Sequence, residues 1–172
     1  MCSSDLELAG AEVELIDLDQ REYRLKNALQ AGHASYDFIL IDCPPALNML
    51  TVNGLVAADS VLIPMQCEYF ALEGLSDLVE TLRKVRAHLN SRLEIEGLLR
   101  TMYNPQSTLT QQVSGELESH FGSKVYQTIV PRNVRLAEAP SYGKPVIAFD
   151  KSSKGAQAYS ALAKEILERV AP

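Results

Sequence analysis

Apolar positions along this chain recur at two spacings, one suited to helices and one to strands, and the two alternate from end to end. Val13, Leu15, Ile16, Leu18, Leu25, Ala28 and Leu29 recur mostly at three- and four-residue intervals with charges between them, which predicts an amphipathic helix over 11–30. The run Tyr36-Asp37-Phe38-Ile39-Leu40-Ile41-Asp42 is almost unbroken in apolar character and predicts a buried strand over 36–42. A mostly apolar helix is expected over 46–58 and a short strand over 60–65. Leu75, Leu78, Val79, Leu82 and Val85 share one face of a helix over 72–89. A strand over 94–103 follows, then a helix over 108–121 stopped by Gly122, then a strand over 124–130. Residues 145–149 read as a short edge strand, and 153–170 as a closing helix. No internal repeat or low-complexity segment interrupts the series.

Strands alternating with helices predict one α/β domain over 1–172, a doubly wound, mostly parallel sheet with helices on both faces. Such sheets bind their ligands beyond the carboxyl ends of the strands, where Asp42 is expected. Cys43-Pro44-Pro45 then keeps the chain from curling straight into a helix, because proline fixes its own backbone angle and restricts the residue before it. In nucleotide hydrolases an acid so placed holds magnesium, usually through water. An aspartate that only caps the next turn fits the same pattern. A Gly-rich phosphate loop normally follows the first strand of such a fold, yet none of the nine glycines forms GxxxxGK[ST] or GxGxxG. The chain therefore reads as N-terminally truncated.

Composition adds little to the fold but narrows the setting. With 47% apolar and 22% charged residues, the sequence is that of an ordinary soluble globular protein. No run approaches the roughly 18 apolar residues of a membrane span, and no signal-peptide layout opens the chain, so the expectation is cytoplasmic. Cys2, Cys43 and Cys67 are widely spaced and suggest neither disulfides nor a zinc site. Residues 1–123 carry 8 Lys and Arg against 18 Asp and Glu, while 124–172 carry 8 against 4. The basic end is the candidate for anionic partners, although a merely solvated surface would look alike.

Read together, several segments carry a resemblance: LAGAEVEL at 8–15, YDFILIDCPPAL at 36–47, NGLVAADSVLIPMQCEYFALEGL at 53–75, IVPRNVRLAEAPSYGKPV at 129–146 and KGAQAYSALAKEIL at 154–167. The chain is similar to the C-terminal two thirds of ParA/Soj-type chromosome or plasmid partitioning ATPases. That resemblance implies a P-loop NTPase-like fold whose deviant P-loop, with its signature lysine, lies outside this sequence. Residues 1–7 depart from the family pattern and are expected to be non-native or disordered.

Carried over by position, Asp42 matches the acid of the second switch, associated with Mg2+ through water, and Cys43, Pro44 and Pro45 form its loop. For Cys43 itself a small buried thiol is the preferred reading. Pro131, Arg132 and Asn133 match the loop around the nucleotide base, where Pro and the Arg stem can pack on a purine and Asn can read its edge. Without the resemblance, PRN reads as a turn leading into a helix. Asn104 is a further base-side candidate, though Asn-Pro is also a turn signal. Arg135 matches a residue used for nonspecific DNA binding, with Lys151 and Lys154 near the family's basic cluster, or else ordinary surface charge. Many relatives carry Arg where this chain has Gln106, which predicts weaker DNA binding. His33, His88 and His120 have no partner pattern and are expected at the surface.

The function implied is an ATP- and Mg2+-dependent homodimerising switch in DNA segregation, stimulated by a ParB-like partner and associated with the nucleoid. The alternatives are a non-catalytic fragment of such a protein, since the P-loop is missing, or a MinD-like membrane-associated positioning ATPase. The terminal KEILERVAP mixes Lys164 and Arg169 with Glu165 and Glu168 and makes a poor lipid anchor.

Overall fold

The computed structural model describes residues 6–30, 36–44 and 47–170. They divide into two compact units, one running to Val61 together with Leu78–Glu94, the other comprising Leu62–Asp77 and the chain from Ile95 onward.

In the first unit α1 (Leu6–Glu14) and α2 (Arg24–Gln30) are separated by two 3-10 turns. The single helix expected over 11–30 is thus broken, with Leu18 extended and Gln20 left-handed at φ 52°. The reason lies in packing, since Val13, Ile16 and Leu18 are exposed and only Leu15 of that stripe is buried. Helices in proteins are stabilised mainly by burying an apolar face, and here the face is not covered. α3 (Met49–Ala57) begins at Asn48, whose side chain accepts the Thr51 N–H at 2.9 Å. Buried Asn53 ties this helix to α2, accepting from the Leu25 N–H and donating to the carbonyls of Arg21 and Met49. Asn90 donates to the carbonyls of Leu55 and Ala58 and pins the far end of α3.

The strand expected over 36–42 does not form. These residues are irregular, and Tyr36, Phe38, Ile39 and Leu40 are exposed, Leu40 to 92%. A strand exists by pairing its backbone groups with a neighbour, and no ladder to 36–44 is present among the described residues.

The second unit holds, apart from the first residues of β1 and β2, a sheet of order β1 (Ser60–Gln66), β2 (Glu94–Tyr103), β3 (Val125–Pro131), with β2 and β3 parallel. Successive residues of a strand face opposite sides, and β2 uses this fully. Leu99 joins Tyr126, Val130 and Leu162 of α8 (Lys154–Val170), with Leu62, Leu136, Ala158 and Ile166 around them. Arg100, on the other face, donates to Ser114 Oγ and Glu118 of α5 (Thr108–Phe121). α8 and α5 therefore cover opposite faces, the layering expected of a doubly wound parallel α/β fold. Gly97 is required by a close approach, because a Cβ there would lie 2.5 Å from the Tyr126 ring. α4 (Ala71–His88) contributes buried Leu75 to this unit and buried Leu82 and Val85 to the first.

Two irregularities mark the β2–β3 ladder. Leu98 pairs with Val125 and Arg100 with Ile129, so β3 bulges at 126–128, and there the N–H groups of Gln127 and Thr128 both donate to the Glu165 carboxylate at 2.8 Å. Burial pushes that carboxyl up, but hydrogen bonds from Thr128, Gln127 and Arg169 prevail and hold its pKa down at about 2. Tyr103 pairs with Pro131, so a second bulge falls on β2 at 101–102.

After β3 come α6 (Val134–Glu138), a 3-10 turn over 139–142 and α7 (Val146–Phe149). The edge strand expected at 145–149 is this helical turn. Four apolar residues after a proline are too few to fix a period, and Pro145 in extended geometry starts the turn while Tyr142 stacks on Phe149 at 4.9 Å. No helix among the described residues is long and apolar enough to cross a membrane.

Candidate functional site

All three strands of the second unit end on one open cleft of about 1270 Å³. Gln66 and Cys67 arrive from β1, Tyr103 and Asn104 from β2, Pro131 and Arg132 from β3. Tyr69, Phe70, Met102, Leu109 and Val134 give it exposed apolar walls, and Tyr69 meets Phe70 edge to face with ring centroids 5.0 Å apart. Lys154, the first residue of α8, adds a cation. The carboxyl-terminal edge of a parallel sheet is where α/β folds take their ligands, and apolar walls with a few fixed polar groups suit a flat heteroaromatic ring.

Local hydrogen bonds fix the polar groups. Asn104 Oδ1 accepts the Gln106 N–H at 3.1 Å and its carbonyl accepts the Ser107 N–H at 3.1 Å, which leaves Nδ2 as the donor this residue offers a ligand. The Arg132 N–H donates to the Tyr103 carbonyl at 3.4 Å, joining the ends of β3 and β2, while its side chain is exposed. Asn133 is not among the lining residues. Its Oδ1 accepts the Arg135 N–H at 3.0 Å and so caps α6. Of the base-side residues expected from sequence, Pro131, Arg132 and Asn104 come together here, and Asn133 serves the helix behind them.

Arg135 donates to Glu138 at 2.8 Å and pairs with Asp150 at 3.3 Å, interactions that push its pKa further up, Glu138 contributing most. Its charge is shared between two carboxylates. Asp150 also accepts from the Ser152 hydroxyl and from the N–H groups of Ser152 and Ser153, and these bonds lower its pKa. Lys151 is exposed in that turn. Gln106 lines the cleft.

Asp42, Cys43 and Pro44 belong to the first unit and are exposed; Pro45 lies outside the described residues. Cys43 is thus not the buried residue expected, although its Sγ rests where a Cβ on Gly54 would come within 2.7 Å. That local burial, aided by the Asp42 charge, pushes the thiol pKa up. No group of three or more His, Cys, Asp or Glu able to hold a metal occurs among the described residues. A lone exposed carboxylate fits only a metal held largely by water, the usual habit of Mg2+.

Arg100 is a residue the sequence reading passed over. It is 4% exposed, donates to Ser114 Oγ at 2.8 Å, to Glu118 and to the Tyr126 carbonyl at 2.7 Å, and its Nε has no partner. The signal was available as the one charge in the apolar run GLLRTMY. Cys67, buried at the cleft, has its thiol pKa pushed up by burial, with Arg100 pulling the other way.

Comparison with known proteins agrees with this architecture. A family model described as an AAA domain matches residues 1–95. The chain is 56% identical over 161 residues to the sporulation initiation inhibitor protein Soj of Bacillus subtilis, covering 94% of this chain and 64% of that protein. It is 51% identical over 168 residues to the chromosome partitioning protein ParA of Caulobacter vibrioides, covering 96% and 63%. A cobyrinic acid a,c-diamide synthase from Mycobacterium smegmatis, solved with an ATP analog and magnesium, superposes with a TM-score of 0.75 at 34% identity, covering 94% of this chain and 59% of that one. The fold is that of P-loop nucleotide hydrolases of the ParA/MinD type. The chain belongs to the ParA/Soj family of partitioning ATPases, and it spans less than two thirds of the length of the relatives it matches.

Proposed function

We propose that the cleft at the strand ends receives the base of ATP, and that this chain serves the nucleotide-dependent DNA-segregation switch of its family. The observation that carries the reading is the convergence of Asn104, Pro131 and Arg132 from two parallel strands onto one apolar-walled cleft. Pro131 and the Arg132 stem offer packing surface for a purine, and Asn104 Nδ2 a donor to its edge. Asp42 is the residue that would hold Mg2+ through water, and the ion, when bound, would offset the charge of the phosphates.

In the intact protein this nucleotide site supports a homodimer that binds nonspecific DNA and releases it after hydrolysis stimulated by a ParB-like partner. Lys151 and Lys154 are exposed cations that can meet phosphates, and Arg135 contributes less because Glu138 and Asp150 already engage it. Gln106 adds no charge. A membrane-associated role is disfavoured because α8 packs Leu162, Ala158 and Ile166 against the sheet and sets its exposed Leu167 and Val170 beside Glu168 and Arg169.

The test is titration of the chain with a ribose-labelled fluorescent ATP in magnesium buffer. Saturable binding that weakens about tenfold in Asn104→Ala, one lost hydrogen bond's worth, supports the reading. Absence of binding, or binding by Asn104→Ala and Arg132→Ala as tight as the parent's, overturns it. Phosphoryl transfer relies on a phosphate-cradling loop that no GxxxxGK[ST] pattern here provides, so residues 1–172 alone should not hydrolyse ATP. Turnover by the purified chain that disappears in Asp42→Ala would contradict this.

A further inference from the structure

Met102 is one of two non-glycine residues with positive φ among the described residues, at 50°. A side chain with a Cβ takes up the left-handed region reluctantly, and methionine has no short polar group to compensate by a local hydrogen bond. The residue lies in a strand, one position from its end, and the strand bulges there. From Arg100 to Tyr103 the chain takes three steps while its partner takes two, from Ile129 to Pro131. Bulges of this kind re-aim the residues that follow them. Here those residues are Tyr103, whose carbonyl receives the Arg132 N–H, and Asn104, whose side chain is fixed by the Gln106 N–H. Strain of this sort survives only where the surroundings over-determine it, and it collects at ligand sites. The surroundings are present in Thr101, whose hydroxyl donates to the Met65 carbonyl at 3.2 Å, and in the Tyr103 pairing with Pro131. Met102 itself is 46% exposed on the cleft wall, so core packing does not account for the conformation.

The geometry points to Met102 as a positioning residue, its left-handed backbone turning Tyr103 and Asn104 onto the cleft and thereby setting how the cleft meets a purine. The inference rests on the proposed base site for its ligand, but its backbone claim stands apart. In an ordinary strand position glycine is less stable than alanine, whereas at a left-handed position the order reverses. Met102→Gly should therefore melt about 2–4 °C above Met102→Ala, while Glu94→Gly, at the start of the same strand, melts below Glu94→Ala. A β-branched residue fits the left-handed region worst. Met102→Ile should release the bulge, raise hydrogen exchange of the Gln106 and Arg132 amides and weaken adenosine binding about tenfold. Met102→Gly and Met102→Ala should leave the Gln106 and Arg132 amides as protected as in the parent, which separates the backbone role from loss of the methionine side chain at the cleft wall.

Calorimetry, amide exchange and titration with adenosine, which has base and ribose but no phosphate, make up the experiment. Gly melting below Ala at 102, or Met102→Ile keeping its amide protection and adenosine affinity, overturns the inference. If the parent chain binds no adenosine, the base-site reading fails by itself, and the Gly–Ala order with the Gln106 and Arg132 amides still decides whether the bulge positions this corner.

Discussion

Residues 94–103 and residues 36–42 carry similar stretches of apolar side chains and meet opposite environments. The first lies between two other strands, with Leu98 and Leu99 buried and a helix on each face. The second is irregular, with Tyr36, Phe38, Ile39 and Leu40 exposed to water. Composition cannot be what separates them. β2 pairs on both sides and can bury alternate residues against α5 and α8, whereas 36–42 has no ladder partner among the described residues. An apolar run becomes a strand when neighbours take its N–H and C=O groups, and burial of its side chains follows from that.

The contrast can be broken most sharply by truncation. Leu98→Ala should destabilise the chain by about 2–5 kcal/mol in urea unfolding, the range for buried leucines that leave a cavity. A value near zero would mean that the sheet is not the stabilising core.

Next in size is acid. Glu165 holds the bulge of β3, and its folded pKa, about 2, lies below its ordinary value of 4.5. A lowered carboxyl contributes stability above its unfolded pKa and loses it as pH falls through the folded one. The sheet unit should therefore lose up to about 3 kcal/mol between pH 4.5 and 2, at 1.36 kcal/mol per unit. In Glu165→Gln this part of the acid slope should flatten, as followed by circular dichroism.

Smaller again is the Arg100 cluster. Glu118→Ala leaves a buried guanidinium short of its carboxylate and should cost about 1–3 kcal/mol, and Arg100→Met less, because the charge and its partner requirement go together. The reverse order in thermal melts would show that the cluster is not held by that pair. Least of all, Leu40→Ser should change stability by no more than about 0.5 kcal/mol, as surface substitutions do. A large loss there would mean that 36–42 is packed after all.

The same contrast explains what could be read from residues alone. α4, α5, α8 and the three strands were legible because their apolar spacing is also their burial pattern. The 11–30 helix was not, since its stripe is uncovered and the chain turns at Gln20. The 145–149 turn was misread because four apolar residues after Pro145 have no period. That Asn104, Pro131 and Arg132 share one cleft was legible because they lie at or just past strand ends, where a parallel sheet gathers its ligand groups. Asn133 offered the same cue and is used as a cap instead. The Met102 bulge had no cue, because the pairing register that creates it involves a strand more than twenty residues away.

The uncovered stretch at 38–40 also governs how this chain behaves in bulk. Three oily side chains are bracketed by the Asp37 and Asp42 carboxylates, whose like charges oppose contact between copies through this stretch. Added electrolyte shortens the reach of that repulsion to a few ångströms, so turbidity in a concentrated sample should rise with salt.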